Sequence, residues 1–487
     1  MMTCYGQAVS MRRSMQAICS VPGEDGRRMK KNPRFYFALF MGKFAYRVQR
    51  MLRMNATFFP GKLAIRLCPD FIGRIGKPEK IVAVTGTNGK TTCCNMLIDI
   101  LTENGYDLMN NRAGSNTDAG IATALLRYAS IGGKARKPLG ILEIDERSSK
   151  RIYPYICPTY VVCTNLFRDS IQRNAHPEYI ADIITSAVPK TTKMILNADD
   201  PISSRLAPDN DRVYFAIRQL PTDKQECTNI INDCRICPRC STKLLFRYNR
   251  YHHIGNVYCP NCDYASPTPD YPADVDMEAG RVKMELHGRC EEFTLVSNSI
   301  FNIYNQVTAT AVLTELGLTP DMIRRGFGKL SIVETRYSHA EAGGLSVITH
   351  MAKGHNPIAC SCVFDYAVHE PGVKEIILMP DDDRNHLTTS ENITWAYDAD
   401  FEKLADESIA RVVVGGIRAE DYRLRLLIAG VEPDRIFTTP DERDTPKLLK
   451  LDGTDKVFIL HQLYKTEAAR IAKEDILKEV AANEESH

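Results

Sequence analysis

The chain has 487 residues, 44% of them hydrophobic and 25% charged, with 62 Lys and Arg against 60 Asp and Glu for a net charge of +2. That length predicts two or three domains, each able to bury its own core, and so even a charge balance gives no support to a general nucleic-acid binder. There are sixteen cysteines, no signal peptide, and no apolar run near the roughly 20 residues that a bilayer needs. These features predict a cytoplasmic protein whose thiols are buried or bind metal rather than pair as disulfides.

In chain order, residues 1–33 are polar and irregular and predict a poorly ordered segment. Residues 34–79 predict an N-terminal helical segment: a helix around 35–53, a turn at Phe59-Pro60-Gly61 and a short connector. Basic residues run from Arg27 through Lys31 to Arg53. They read either as a solvated helix face or as a contact with an anionic partner or a membrane surface. From Lys80 short β-branched strands (81–84, 141–144, 160–163, 194–196 and 213–216) alternate with helical stretches, which implies a mostly parallel sheet with helices on both faces. This α/β domain is expected to span 80–331, interrupted by a cysteine-rich insert at 227–272 and resuming with a helix near 305–316. A second strand series (345–348, 375–379, 411–414, 435–437 and 457–460) predicts a separate Rossmann-like α/β domain over 332–487.

Residues 81–84 lead directly into Thr85-Gly86-Thr87-Asn88-Gly89-Lys90-Thr91-Thr92. Small residues let backbone N–H groups approach phosphate oxygens, and a helix starting there adds a field favourable to an anion. Lys90 can reach the outer phosphates and the Thr91 hydroxyl can ligate Mg2+. The full Walker pattern has glycine where Val84 stands, so the loop is P-loop-like rather than complete. The bland alternative is a tight strand-to-helix turn that holds no nucleotide. Glu143 and Glu146, in Leu-Glu-Ile-Asp-Glu, close a buried strand. A carboxylate there can hold Mg2+ or cap the next helix, and the sequence leaves open which of the two serves the metal. His176 is a lone histidine and more often structural than a ligand.

Cys237, Cys240, Cys259 and Cys262 form C-x2-C-x18-C-x2-C, a spacing that fits a closed four-thiolate zinc ribbon. Cys234 falls outside the set. Such a ribbon folds the insert and leaves no open position for chemistry.

The phosphate loop resembles the signature of Mur ligases and folylpolyglutamate synthases. Thr164-Asn165-Leu166, Asn197-Ala198-Asp199-Asp200-Pro201 and Asn302-Ile303-Tyr304-Asn305 are similar to later segments of the same family. The ribbon, Pro60-Gly61, the run from Asn111 to Asn116, and the run from Thr394 through Trp395 to Glu402 narrow the resemblance to the MurT subfamily, synthetase subunits of lipid II isoglutaminyl synthase. The resemblance implies ATP and Mg2+ as cofactors, with the residues from Gly86 to Thr92 around the phosphates and Asn302 and Asn305 beside the adenine. It implies Asn111, Asn116 and Asn165 along the substrate, Arg336 on a phosphate, and Thr91 with Glu143 on the magnesium. The implied reaction converts the α-carboxyl of D-glutamate in the lipid II stem peptide to D-isoglutamine through an acyl phosphate. Ammonia would come from a separate GatD-like glutaminase in a heterodimer, with Asp398, or Asp400 in reserve, orienting the glutaminase histidine.

The chain itself has no Gly-x-Cys-x-Gly elbow; Gly288-Arg289-Cys290 comes nearest, with Glu292 in place of the second glycine. Three stretches depart from the family pattern: Asp383 to Ser390, Lys353-Gly354-His355-Asn356-Pro357, and Glu334-Thr335-Arg336-Tyr337. Two other readings stand beside amidation. An amino-acid-adding ligase of the murein or folylpolyglutamate kind shares every ATP-site residue, but the region before Lys80 is too short for the nucleotide-sugar domain of most murein ligases. A zinc-ribbon binding protein that has lost catalysis is the other, against which Lys90, Thr91 and Glu143 stand intact.

Overall fold

The structure is a computed structural model that describes residues 29–168, 176–330, 337–351, 356–380 and 393–484. Most of the expected poorly ordered segment, Arg336, and the departing run at 383–390 lie outside the described residues. The chain divides into two compact units, one built from residues up to 166 with 178–223 and 255–330, the other from 167–177, 224–254 and 331 onward.

The first unit begins with three helices, α1 (Pro33–Met51), α2 (Phe59–Leu67) and α3 (Phe71–Arg74). Asn32 starts α1: its side chain accepts from Phe35 N at 2.8 Å, and Pro33 fills the first turn, where a missing N–H costs little. The sequence predicts a turn at Phe59-Pro60-Gly61, but these residues open α2 instead. The glycine is there for packing. A Cβ on Gly61 would sit 2.0 Å from the carbonyl oxygen of Ala119, and Gly61 N donates to Thr123 Oγ1 at 2.8 Å.

The alternating pattern then builds β1 (Lys80–Thr85), α4 (Lys90–Glu103), β2 (Leu108–Asn110), α5 (Asp118–Tyr128), β3 (Leu139–Glu143), α6 (Ser149–Ile152), β4 (Tyr160–Cys163), α7 (Pro177–Ala187), β5 (Lys193–Asn197) and β6 (Arg212–Ile217). A hairpin, β7 (Leu245–Tyr251) with β8 (Ile254–Tyr258), belongs to the insert. After it come β9 (Tyr271–Asp276), β10 (Arg281–Leu286), β11 (Arg289–Thr294), α8 (Ile300–Glu315) and α9 (Pro320–Lys329). The sheet order is β11-β10-β9-β6-β5-β4-β1-β3-β2. Strands β1 to β6 run parallel, as the alternation predicts, and β9 extends them before an antiparallel edge of β10 and β11. Five of the six β1 residues are buried, which is why this strand reads as a continuous apolar run. In its register Val84 lies opposite Glu143 and Thr85 opposite Cys163. Three strand ends therefore deliver the Gly86 loop, Glu143 and Thr164 to one edge of the sheet, where parallel α/β sheets bind their ligands.

The second unit carries β12 (Tyr337–Ala342), β13 (Leu345–Met351), α10 (Pro357–His369), β14 (Lys374–Met379), β15 (Ile409–Gly415), α11 (Ala419–Ile428), β16 (Ile436–Thr439), β17 (Lys456–His461) and α12 (Thr466–Glu484). Its sheet order is β12-β13-β17-β14-β15-β16, parallel except for the β12–β13 pair. One face packs Phe364, Trp395, Phe401 and Tyr422; the other packs Ala469, Ala472 and Ile476 of α12. Trp395 is buried in a 3-10 turn, with its ring centroid 6.2 Å from that of Tyr422. Among the described residues no helix is long and apolar enough to cross a membrane.

Candidate active site

The phosphate loop is held by glycines that could not be anything else. Gly86 and Gly89 adopt φ of +126° and +85°, a region that favours glycine, and Gly89 is the N-cap of α4. A Cβ on Gly86 would meet Thr164 Oγ1 at 2.3 Å, and one on Gly89 would meet Asn305 Oδ1 at 2.2 Å. Asn165 clamps the loop from the end of β4. Its carbonyl accepts from Thr87 N at 2.8 Å, its Oδ1 accepts from Asn88 N at 3.0 Å, and its Nδ2 donates to Asn88 O at 3.1 Å. Thr164 Oγ1 donates to the same Asn88 carbonyl at 2.6 Å.

The loop ends where α4 begins, with Lys90, Thr91 and Thr92 in its first turn. Helix-start N–H groups lack intrahelical acceptors and, with the helix dipole, favour an anion. Lys90 Nζ donates to Gly86 O and, at 2.7 Å, to Glu146 Oε1, which also accepts from Gly86 N at 3.2 Å. Burial pulls the lysine pKa down, but the ion pair with Glu146 and the charges of Glu143 and Asp145 carry it above its ordinary value. Lys90 is thereby fixed as a cation.

The two glutamates divide their tasks. The Glu146 side chain is 3% exposed and stands behind Lys90. Glu143 is turned toward Thr91, whose hydroxyl donates to Oε2 at 2.8 Å, while Asn116 Nδ2 donates to Oε1 at 3.0 Å. Asn111 grips the main chain of Glu143 in both directions at 2.9 Å. A hard divalent cation takes oxygen ligands, and Thr91 with Glu143 supplies a hydroxyl and a carboxylate next to the helix start. The residues present therefore suit a magnesium-bound phosphate chain.

The other expected site residues do supporting work. The expectation for Asn111 and Asn165 is substrate contact, and the structure gives them the strand end and the loop to hold. Asn305 is buried against Gly89, and Asn302 Nδ2 donates to Ser297 Oγ at 3.3 Å. The two acids of the Asp199-Asp200 turn are spent on the fold. Asp199 Oδ2 accepts from Tyr304 OH at 2.7 Å and Ile217 N at 3.0 Å; Asp200 accepts from Leu166 N at 2.8 Å and Ile202 N at 2.9 Å. His176 is exposed and joins no group of metal-ligating side chains among the described residues.

The ligating atoms of Cys237, Cys240, Cys259 and Cys262 lie within 4.8 Å of one another, a group able to hold a metal ion. Arg239 N and Asn261 N point at the sulfurs of Cys237 and Cys259, each at 3.4 Å, and such N–H groups favour thiolates. Cys234 is outside the group.

In the second unit Asp398, favoured by the resemblance, and Asp400, held in reserve, have different surroundings. Asp400 is 3% exposed and accepts from Asn229 Nδ2 at 2.6 Å and Ile230 N at 2.7 Å. The Asp398 side chain keeps 28% of its surface and has Arg168 Nη1 at 3.6 Å. Arg168 is itself held by Asp233, Nε to Oδ1, at 2.6 Å. No spacing or motif signals the contribution of Asp233 or Asn229.

The fold and site define a Mur-type α/β ligase, and comparisons agree. The Mur ligase middle domain model matches residues 84–228 and the MurT ligase C-terminal model matches residues 354–464. Among solved structures, a pseudomurein peptide ligase type C from Methanothermus fervidus aligns with TM-score 0.64 and 20% identity, covering 84% of this chain and 81% of its own. MurF ligase from Thermotoga maritima, solved in complex with ADP, aligns with TM-score 0.53 and 13% identity, covering 87% and 85%. Residues 84–228 are thus a Mur ligase middle domain.

The C-terminal region is a MurT ligase C-terminal domain. The lipid II isoglutaminyl synthase (glutamine-hydrolyzing) subunit MurT of Staphylococcus aureus is 29% identical over 423 residues, 86% of this chain and 94% of that protein. The same subunit of Streptococcus pneumoniae is 29% identical over 427 residues, 87% and 93%.

Proposed function

We propose that this chain is the synthetase subunit of a lipid II isoglutaminyl synthase. The observation that carries the reading is the convergence of Lys90, Thr91 and Glu143 on the phosphate loop, in a chain whose likeness to MurT subunits extends through the C-terminal unit. A carboxylate is a poor electrophile, and ATP supplies the phosphoryl group that turns the D-glutamate α-carboxylate into an acyl phosphate. Ammonia then adds to the acyl carbon, phosphate leaves with the C–O bonding pair, and the amide remains. Lys90, kept protonated by Glu146, neutralises phosphoryl charge, and Thr91 with Glu143 would hold Mg2+. Arg336 is assigned to the phosphate as well.

Ammonia is assigned to a separate GatD-like glutaminase, and Asp398 to its histidine, because the Asp400 carboxylate is already occupied by Asn229 and Ile230. The chain works in the cytoplasm, in peripheral contact with the membrane that carries its lipid-linked substrate. The test is direct. With ATP, Mg2+ and ammonium, lipid II should become about one mass unit lighter, the acid-to-amide difference. Phosphate release driven instead by a free amino acid would assign the chain to the amino-acid-adding ligases.

The cysteine group is assigned to structural zinc, since four thiolates suit a closed tetrahedral site. Elemental analysis is expected to find one zinc per chain, and Cys240→Ser should lose it and loosen the insert, lowering its resistance to proteolysis. ATP binding should survive in part. A metal-free chain of undiminished stability would refute the assignment.

A further inference from the structure

Helix α1 has two apolar faces, and the protein uses only one. Phe35, Ala38, Leu39 and Gly42 are buried. On the opposite side, at steps of three, four and seven residues, Phe37, Phe40, Phe44 and Met51 form one stripe with 56%, 66%, 56% and 82% of their surfaces exposed. Three phenylalanines on one solvent-facing stripe are not scattered surface residues. The rings of Phe40 and Phe44 lie 6.5 Å apart and within 15° of parallel. Arg47 continues the stripe, Arg50 and Arg53 follow, and all three are exposed. From residue 29 to residue 69 the chain carries nine Lys and Arg and no acid, although its net charge is only +2.

We propose that this face of α1 is a docking surface for an anionic lipid bilayer, with the phenylalanines set into the headgroup boundary and the arginines on lipid phosphates. An interfacial helix needs both features: apolar side chains to bury and basic ones beside them. The helix lies on the surface rather than spanning it, since its 19 residues are not apolar enough to cross. A second copy of the chain is a poor occupant, since a two-fold contact would bring two acid-free basic segments together. Residues 1–28 are a poor one too, with four Arg against one Asp and one Glu. The biological sense of the surface rests on a lipid-linked substrate, as proposed above, but the binding does not.

The test is therefore made on vesicles that contain no substrate. The full chain should sediment with vesicles of 40% phosphatidylglycerol in phosphatidylcholine and be left in solution by pure phosphatidylcholine. Phe40→Ser/Phe44→Ser should lower the bound fraction roughly tenfold or more, from lost apolar burial. Arg47→Glu/Arg50→Glu should do the same from reversed charge, and high salt should weaken the wild-type interaction. Both variants alter exposed side chains away from the phosphate loop, so ATP turnover without vesicles should be unchanged. Vesicle binding that ignores both variants would overturn the proposal. So would a wild-type chain that is dimeric without lipid and becomes monomeric with the serine pair, which would give the face to a second copy. Displacement from phosphatidylglycerol by an apolar-face-dependent single-stranded oligonucleotide would likewise reassign it. Failure of lipid II amidation alongside intact vesicle binding would sink the functional reading and leave this one standing.

Discussion

Lys90→Ala is expected to lower ATP-dependent phosphate release by a factor on the order of 10³ or more, because among the described residues of the first unit no other cation is fixed beside the start of α4 by a buried carboxylate. The variant also leaves Glu146 without its partner at 3% exposure, and removing one member of a buried pair strands a charge. A loss of stability, on the order of 1–3 kcal/mol after allowing for the bond Glu146 keeps from Gly86 N, should accompany the loss of turnover. The two effects can be separated. Lys90→Met/Glu146→Gln removes the stranded charge and should recover the denaturation midpoint without recovering phosphate release. Near-normal turnover in either variant would remove Lys90 from the chemistry. Recovery of turnover together with stability would show that the ion pair serves only the fold.

Asp398→Asn should suppress glutamine-dependent amidation by a factor of up to about 10⁴, the loss seen when the group orienting a triad histidine loses its charge. High free ammonia should still support the reaction, since the phosphate loop is untouched. Asp400→Asn supplies the contrast. That carboxylate accepts from Asn229 and Ile230 while buried, so an amide there turns a donor group toward existing donors. The expected cost is about 1–3 kcal/mol of stability, and any loss of activity should be the same with either nitrogen source. Equal loss with glutamine and ammonia in Asp398→Asn would move that residue into the synthetase or the fold. A selective loss in Asp400→Asn would reverse the assignment of the two acids.

The phosphate loop was legible because its demands are local. A buried strand, glycines in left-handed conformations and a helix start lie within one short stretch, and the backbone conformations of Gly86 and Gly89 are those such a loop needs. The four-cysteine group was legible for the same reason, since knuckle spacing is a property of the chain. The alternation of strands and helices fixed a parallel sheet from β1 to β6, because strands buried on both faces must be apolar throughout. The strands β9, β10 and β11 were missed: β10 carries the period-2 alternation of a half-buried strand and could have been found from it, while β9 and β11 are polar or irregular over much of their length.

What the sequence could not decide was the division of labour among like residues. Glu143 and Glu146 are three apart in one motif, and only the turn after β3 aims one at Thr91 and the other at Lys90. Asp398 and Asp400 are two apart, and only contacts from residues 229 and 230, far along the chain, tie up the second and leave the first accessible. The turn expected at Phe59 became a helix because Gly61 lets it approach the backbone of α5, a contact between segments nearly sixty residues apart. The sequence by itself determined which chemistry the loop and the thiols can support, since that depends on residue type and short spacing. The tertiary structure decided which carboxylate faces which partner, and which apolar helix face is buried, because burial and long-range hydrogen bonds exist only once distant segments have packed.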